Sequence, residues 1–75
     1  MNEARFKAMR ETIEKVARGM YNGPRLDGIN TNYDCARHIV SDLGLPKARL
    51  DAVAEIVRGV WRDAARDAQR THYSH

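Results

Sequence analysis

The sequence holds a single cysteine, Cys35, among 75 residues. An internal disulfide is therefore excluded, and a lone thiol fits a reducing compartment rather than a secreted protein. No apolar run approaches the ~20 residues needed to cross a bilayer. The opening residues, Met1-Asn2-Glu3-Ala4-Arg5, carry neither the basic stretch nor the apolar segment of a secretory signal. A cytoplasmic protein without a membrane partner is the expectation. The motifs of common catalysts are also missing: there is no Gly-rich phosphate loop, no G-x-S-x-G, no H-E-x-x-H and no C-x-x-C.

Three weaker patterns come closer to chemistry without reaching it. Cys35 and His38 form the one local nucleophile–base pair, three residues apart and hence on one helix face. No third group is evident to orient the base, so Cys35 is read as a core residue. His72 and His75 lack a third metal ligand. The run Asp27 to Asp34 departs from calcium-loop spacing. No catalytic residue, metal or cofactor is expected, and the chain is read as one that binds rather than one that catalyses.

What is present is helical. Phe6, Met9, Ile13, Val16 and Met20 recur at alternating steps of three and four, with Asn2 placed to cap and Gly19 or Gly23 placed to stop a helix. This predicts helix 1 over 2–20. Thr31 followed by Asp34 approximates a capping box, Ala36, Ile39, Val40 and Leu43 form a buried face, and Gly44 ends helix 2 at 32–43. Pro46 suits a helical first turn, and helix 3 is predicted over 46–70. Its apolar positions Leu50, Val53, Val57, Val60, Trp61, Ala64 and Ala68 form one broad face. Residues 71–75 read as a frayed tail. The fold expected is all-α, a small three-helix bundle in one domain, with a long loop between helices 1 and 2. A core of this size is thermodynamically thin, so a homo-oligomer, through helix 1 or the length of helix 3, is the expected reinforcement.

Residues 21–32 have neither helical nor strand period, with turn signals at Gly23-Pro24 and Asp27-Gly28 and with Leu26 and Ile29 as candidate anchors to the core. The segment carries Asn22, Arg25, Asp27 and Asn30 between Tyr21 and Tyr33. Rings that stack, a guanidinium fork that pairs with phosphate and amides that read polar edges suit a nucleotide-like ligand or an acidic protein surface. The plainer reading is a spacer rich in turn-forming residues.

Ten of the thirteen basic residues are arginine, in a chain of net charge +3. Arg58, Arg62, Arg66 and Arg70 recur every four residues along helix 3, a ridge drifting ~40° per step with ~6 Å between successive groups. It is expected to lie opposite the apolar face. Like charges at this spacing repel, unless Glu55, Asp63 and Asp67 pair at i,i+3 with Arg58, Arg66 and Arg70. Tyr21, Asn22, Arg25, Asp27, Asn30, Tyr33, Arg58 and Arg62 are accordingly the candidate ligand-binding residues. The function this suggests is a non-catalytic inhibitor or sequestering protein of the kind phage and plasmid genes encode, acting on an anionic partner.

Residues Ala36–Val53 also resemble a helix-turn-helix with Gly44 at the turn, which would make the chain a DNA-binding regulator reading bases through Lys47 and Arg49. One acid and no Gln, Asn or Ser beside these two bases make a poor reading head. A third reading is a structural assembly subunit.

Overall fold

The computed structural model describes residues 2–22, 29 and 31–73, with the backbone alone for Asn22 and residues 70–73. The described residues form three α-helices and no strand: α1 (Glu3–Asn22), α2 (Asn32–Leu43) and α3 (Leu50–Tyr73), with a 3₁₀ turn at Lys47–Arg49 before α3. The all-α three-helix expectation holds.

Each helix start has a local cause. Asn2 Oδ1 accepts from the Arg5 N–H at 2.8 Å, capping α1 as its sequence suggests. Thr31 and Asp34 form a reciprocal capping box: Thr31 Oγ1 accepts from the Asp34 N–H at 3.1 Å, and Asp34 Oδ2 accepts from the Thr31 N–H at 3.2 Å. Asp substitutes for the longer Glu or Gln of that motif and still reaches. At the other end of α2, Gly44 takes a left-handed conformation, φ 65° and ψ 34°. Its N–H points to the Ser41 carbonyl, and the Leu45 N–H donates to the Val40 carbonyl at 2.9 Å. This is the Schellman pattern, which satisfies the last carbonyls of the helix and favours glycine because it has no Cβ.

Three boundaries differ from expectation. Helix 1 passes through Gly19 and ends at Asn22, because its last turn has partners that offset the ~1 kcal/mol cost of a helical glycine. Met20 Sδ accepts from the Cys35 thiol at 3.2 Å, and Tyr21 packs tilted on Trp61 with ring centroids 6.4 Å apart. Helix 3 does not start at Pro46, whose extended ψ of 142° places it before the 3₁₀ turn. The α-helix begins at Leu50 and runs to Tyr73, past the expected end at Arg70.

Helices α1 and α3 run in the same direction. Glu3 meets Arg49 at one end, and Ala17 and Arg18 meet Trp61 and Asp67 at the other. Helix α2 packs chiefly on α3, where Asn32 Nδ2 donates to the Ala54 carbonyl at 3.2 Å. Ile13, Ile39, Val53, Val57 and Cys35 are the largest fully buried side chains. Ala17 and Ala54 are buried with them, so their smallness lets the helices approach. Ala68, expected on the apolar face of α3, is exposed. The stripe of α1 faces inward: Phe6 and Ile13 are buried, and Met9, Val16 and Met20 pack against the core. A self-association surface on α1 would therefore have to be built from its polar faces.

Candidate functional site

Helical spacing puts Asp51, Glu55, Arg58 and Arg62 on one flank of α3. Arg66 continues the row toward the side away from the core. The start of α2 sits on this flank: the Tyr33 hydroxyl donates to Asp51 Oδ1 at 3.4 Å, and Asn32 reaches Ala54. The end of α1 meets α3 further along, where Tyr21 touches Trp61. The two ends of segment 23–30 thus lie against α3 about ten residues apart, or ~15 Å, and Arg58 falls between them. Tyr33 and the arginines Arg58 and Arg62 are brought to the same side of the molecule.

Tyr21 packs tilted against Trp61, at an interplanar angle of 54°. Trp61 in turn donates its indole N–H to the Ala17 carbonyl at 2.9 Å, so the two rings form a joint between α1 and α3. Tyr33 remains 44% exposed, the one large apolar side chain so exposed among the described residues. The side chain of Asn22, together with Arg25, Asp27 and Asn30, lies outside the described residues, as do the side chains of Arg70, His72 and His75.

Of the expected i,i+3 pairs on α3, Glu55 with Arg58 is present, Asp63 with Arg66 is not, and Asp67 with Arg70 lies outside the described side chains. Arg58 meets Glu55 at 3.8 Å with both side chains well exposed, a pair that contributes little. Asp67 binds Arg18 of α1 at 3.1 Å. Asp63 does not pair with Arg66; it lines the cleft between α1 and α3 beside Glu11, Glu14, Lys15, Arg18 and Val60. Of the carboxylates that sequence spacing offers to the ridge, Glu55 thus meets Arg58, while Asp63 and Asp67 lie toward α1. Among the described residues, Arg62 and Arg66 are exposed and have no ion-pair partner. Arg18, which sequence reading did not single out, is what draws Asp67 across.

Of the two helix-turn-helix positions, Lys47 is exposed and Arg49 is not free to read a base. The Arg49 guanidinium binds Glu3 Oε1 at 2.6 Å and lies 4.9 Å over the centroid of the Phe6 ring. The charged hydrogen bond from Arg49, and then its charge, hold the Glu3 carboxyl below the usual glutamate range. Arg49 thereby fastens the first turn of α1 to the start of α3.

Cys35 is fully buried beneath α2 with its thiol on Met20. Among the described residues no three His, Cys, Asp or Glu side chains gather as metal ligands, and no helix is long and apolar enough to cross a membrane. Compared with protein-family models, curated proteins and solved structures, the chain matches none.

Proposed function

We propose that this chain is a small non-catalytic binding protein that captures a partner through its phosphate or carboxylate groups, acting by occupancy as an inhibitor or sequestering protein does. The observation that carries this reading is the pair Arg62 and Arg66. They stand four residues apart on an exposed helix flank, without ion pairs among the described residues. Like charges at that spacing repel, a mild cost that a helix serving only the fold could avoid with its own acids. Here Asp63 is turned toward the α1 cleft and Asp67 is held by Arg18. A guanidinium pair left open in this way is suited to bidentate anions. Arg58 and Tyr33 share the flank, and Arg25, Asp27 and Asn30 belong to the segment joining the two helix ends that rest on α3.

The test is native mass spectrometry of the protein purified from its own cells, followed by titration with the class of partner it reveals. A nucleotide arm and an acidic-peptide arm distinguish the two sources of negative charge. Arg62→Ala/Arg66→Ala should lose about tenfold or more in affinity, ~1.4 kcal/mol, with a weaker dependence on salt. Unchanged affinity in both arms would remove the proposal.

A further inference from the structure

We propose that the groove between the end of α2 and the start of α3 is a docking site for an acidic, amphipathic helical segment of a partner protein. Val40, Leu45 and Leu50 line it as the apolar part, and Arg37 and Lys47 line it as the charged part. Its volume is 520 Å³, within the ~300–1,000 Å³ of ordinary ligand sites.

The geometry of the α2 cap creates it. The Schellman turn at Gly44 sends Leu45 back beneath Val40, and the 3₁₀ turn then displaces Leu50 from the line of α2. The space between the two helices is left open on the solvent side. Both cations are exposed, Arg37 with its own partner Asp34 on α2, and no carboxylate lines the groove. An occupant with negative charge beside its apolar face is therefore complementary, and one with positive charge is opposed.

The form of the occupant follows from α2. Tyr33, Arg37, Ser41 and Gly44 recur at helical spacing along one face, over ~16 Å of helix. Tyr33 is exposed at the far end of this strip. An elongated ligand of about three helical turns matches that length, with apolar side chains repeating at i, i+4, i+7 and i+11 from Tyr33 to the apolar floor of Val40 and Leu50. A phosphate-rich strand matches poorly, because it would place phosphates over an apolar floor. Burial of the apolar side chains supplies the affinity, and Arg37 and Lys47 select the sign of the partner. Neither Arg62 nor Arg66 takes part; Tyr33 lies at the edge of both sites, and the two arginines distinguish them.

The experiment titrates the ¹⁵N-labelled full chain with a synthetic peptide of about four helical turns, ~14 residues. The peptide carries Leu on one face and Glu on both edges, and its twin carries Lys in place of every Glu. The Glu peptide should shift the amides of Val40, Ser41, Leu45, Lys47 and Leu50, leave those of Arg62 and Arg66 in place, and bind about tenfold more tightly than the Lys twin. Ser41→Trp places bulk in the groove from an exposed position and should lower affinity about tenfold. Lys47→Glu, also at an exposed position, should reverse the preference between the twins even if Ser41→Trp does not fold. Equal binding of the twins, shifts elsewhere, or no binding of either would overturn the proposal. So would dodecanoate shifting these same amides while the Glu peptide does not, which would mark a site for lipid anions.

Discussion

Trp61 and Ala17, 44 residues apart in sequence, are joined by a hydrogen bond of 2.9 Å from the indole N–H to a main-chain carbonyl. The bond fixes the middle of α3 on the last turns of α1, and Tyr21 closes over it. Trp61→Phe keeps most of the apolar ring but removes the donor. The expected loss is about 1–2 kcal/mol, from the hydrogen bond and the smaller ring together. In a domain of this size that lowers the melting temperature by roughly 4–8 °C per kcal/mol. Since Trp61 is the one tryptophan, the transition is followed by circular dichroism. A melting temperature equal to the parent's would show that the joint contributes nothing.

Glu3 and Arg49 give the fold an acid-sensitive fastening. The folded state lowers the Glu3 carboxyl pKa, through the Arg49 hydrogen bond first and its charge second. The stabilisation is therefore fully present above the ordinary glutamate value of ~4.3 and is lost as pH falls through the lower folded value. The melting temperature of the parent should exceed that of Glu3→Gln by a constant small margin from about pH 6 to 8. The margin should close below about pH 4. Added salt should shrink it as well, because the Glu3 side chain is 70% exposed. A margin that stays the same at acid pH would contradict this assignment.

Gly44 and Gly59 should respond to alanine in opposite directions. Nothing lies within 4 Å of a Cβ built at either position, so space decides neither case. Gly44 has φ 65°, where a side chain costs about 1–2 kcal/mol. Gly59 lies within α3 at an ordinary helical φ, and Gly59→Ala should stabilise by roughly 0.5–1 kcal/mol. Paired denaturant melts test both signs at once. Destabilisation by Gly59→Ala would mean that α3 does not continue as one helix through that residue.

Much of this fold can be read in the sequence, and the exceptions share a physical cause. Thr31, Asp34 and Gly44 mark both ends of α2 because caps act within a few residues of themselves. Period alone identifies α1 and α3. The sequence leaves the end of α1 open between Gly19 and Gly23, and it is Cys35 and Trp61, from elsewhere in the chain, that hold the last turn as far as Asn22. Ala17 and Ala54 are fully part of the core yet carry little hydropathy signal. Arg49 looks like a surface base until Glu3 and Phe6, more than forty residues earlier, are placed beside it. The same distance hides the α2–α3 groove. Its apolar residues are ordinary helix-end leucines and a valine, and only the Schellman turn opens the space between them. In the candidate site, the arginine row was legible from spacing. That Arg62 and Arg66 stand without ion pairs among the described residues was not, because it depends on Asp63 lining the α1 cleft and on Arg18 reaching Asp67.

The central claim is that Arg62 and Arg66 form a specific anion-capturing flank rather than two of many surface charges. The most direct measurement compares the salt needed to elute three proteins from an immobilised polyanion, heparin: the parent, Arg62→Ala/Arg66→Ala, and Arg5→Ala/Lys7→Ala. Both double variants lower the net charge of +3 by the same two units, and all four positions are exposed. A diffuse attraction depends on net charge alone, whereas a site depends on where the charges stand. The account predicts that the α3 variant elutes at clearly lower salt than the α1 variant, which stays close to the parent. Equal elution of the two double variants would contradict it.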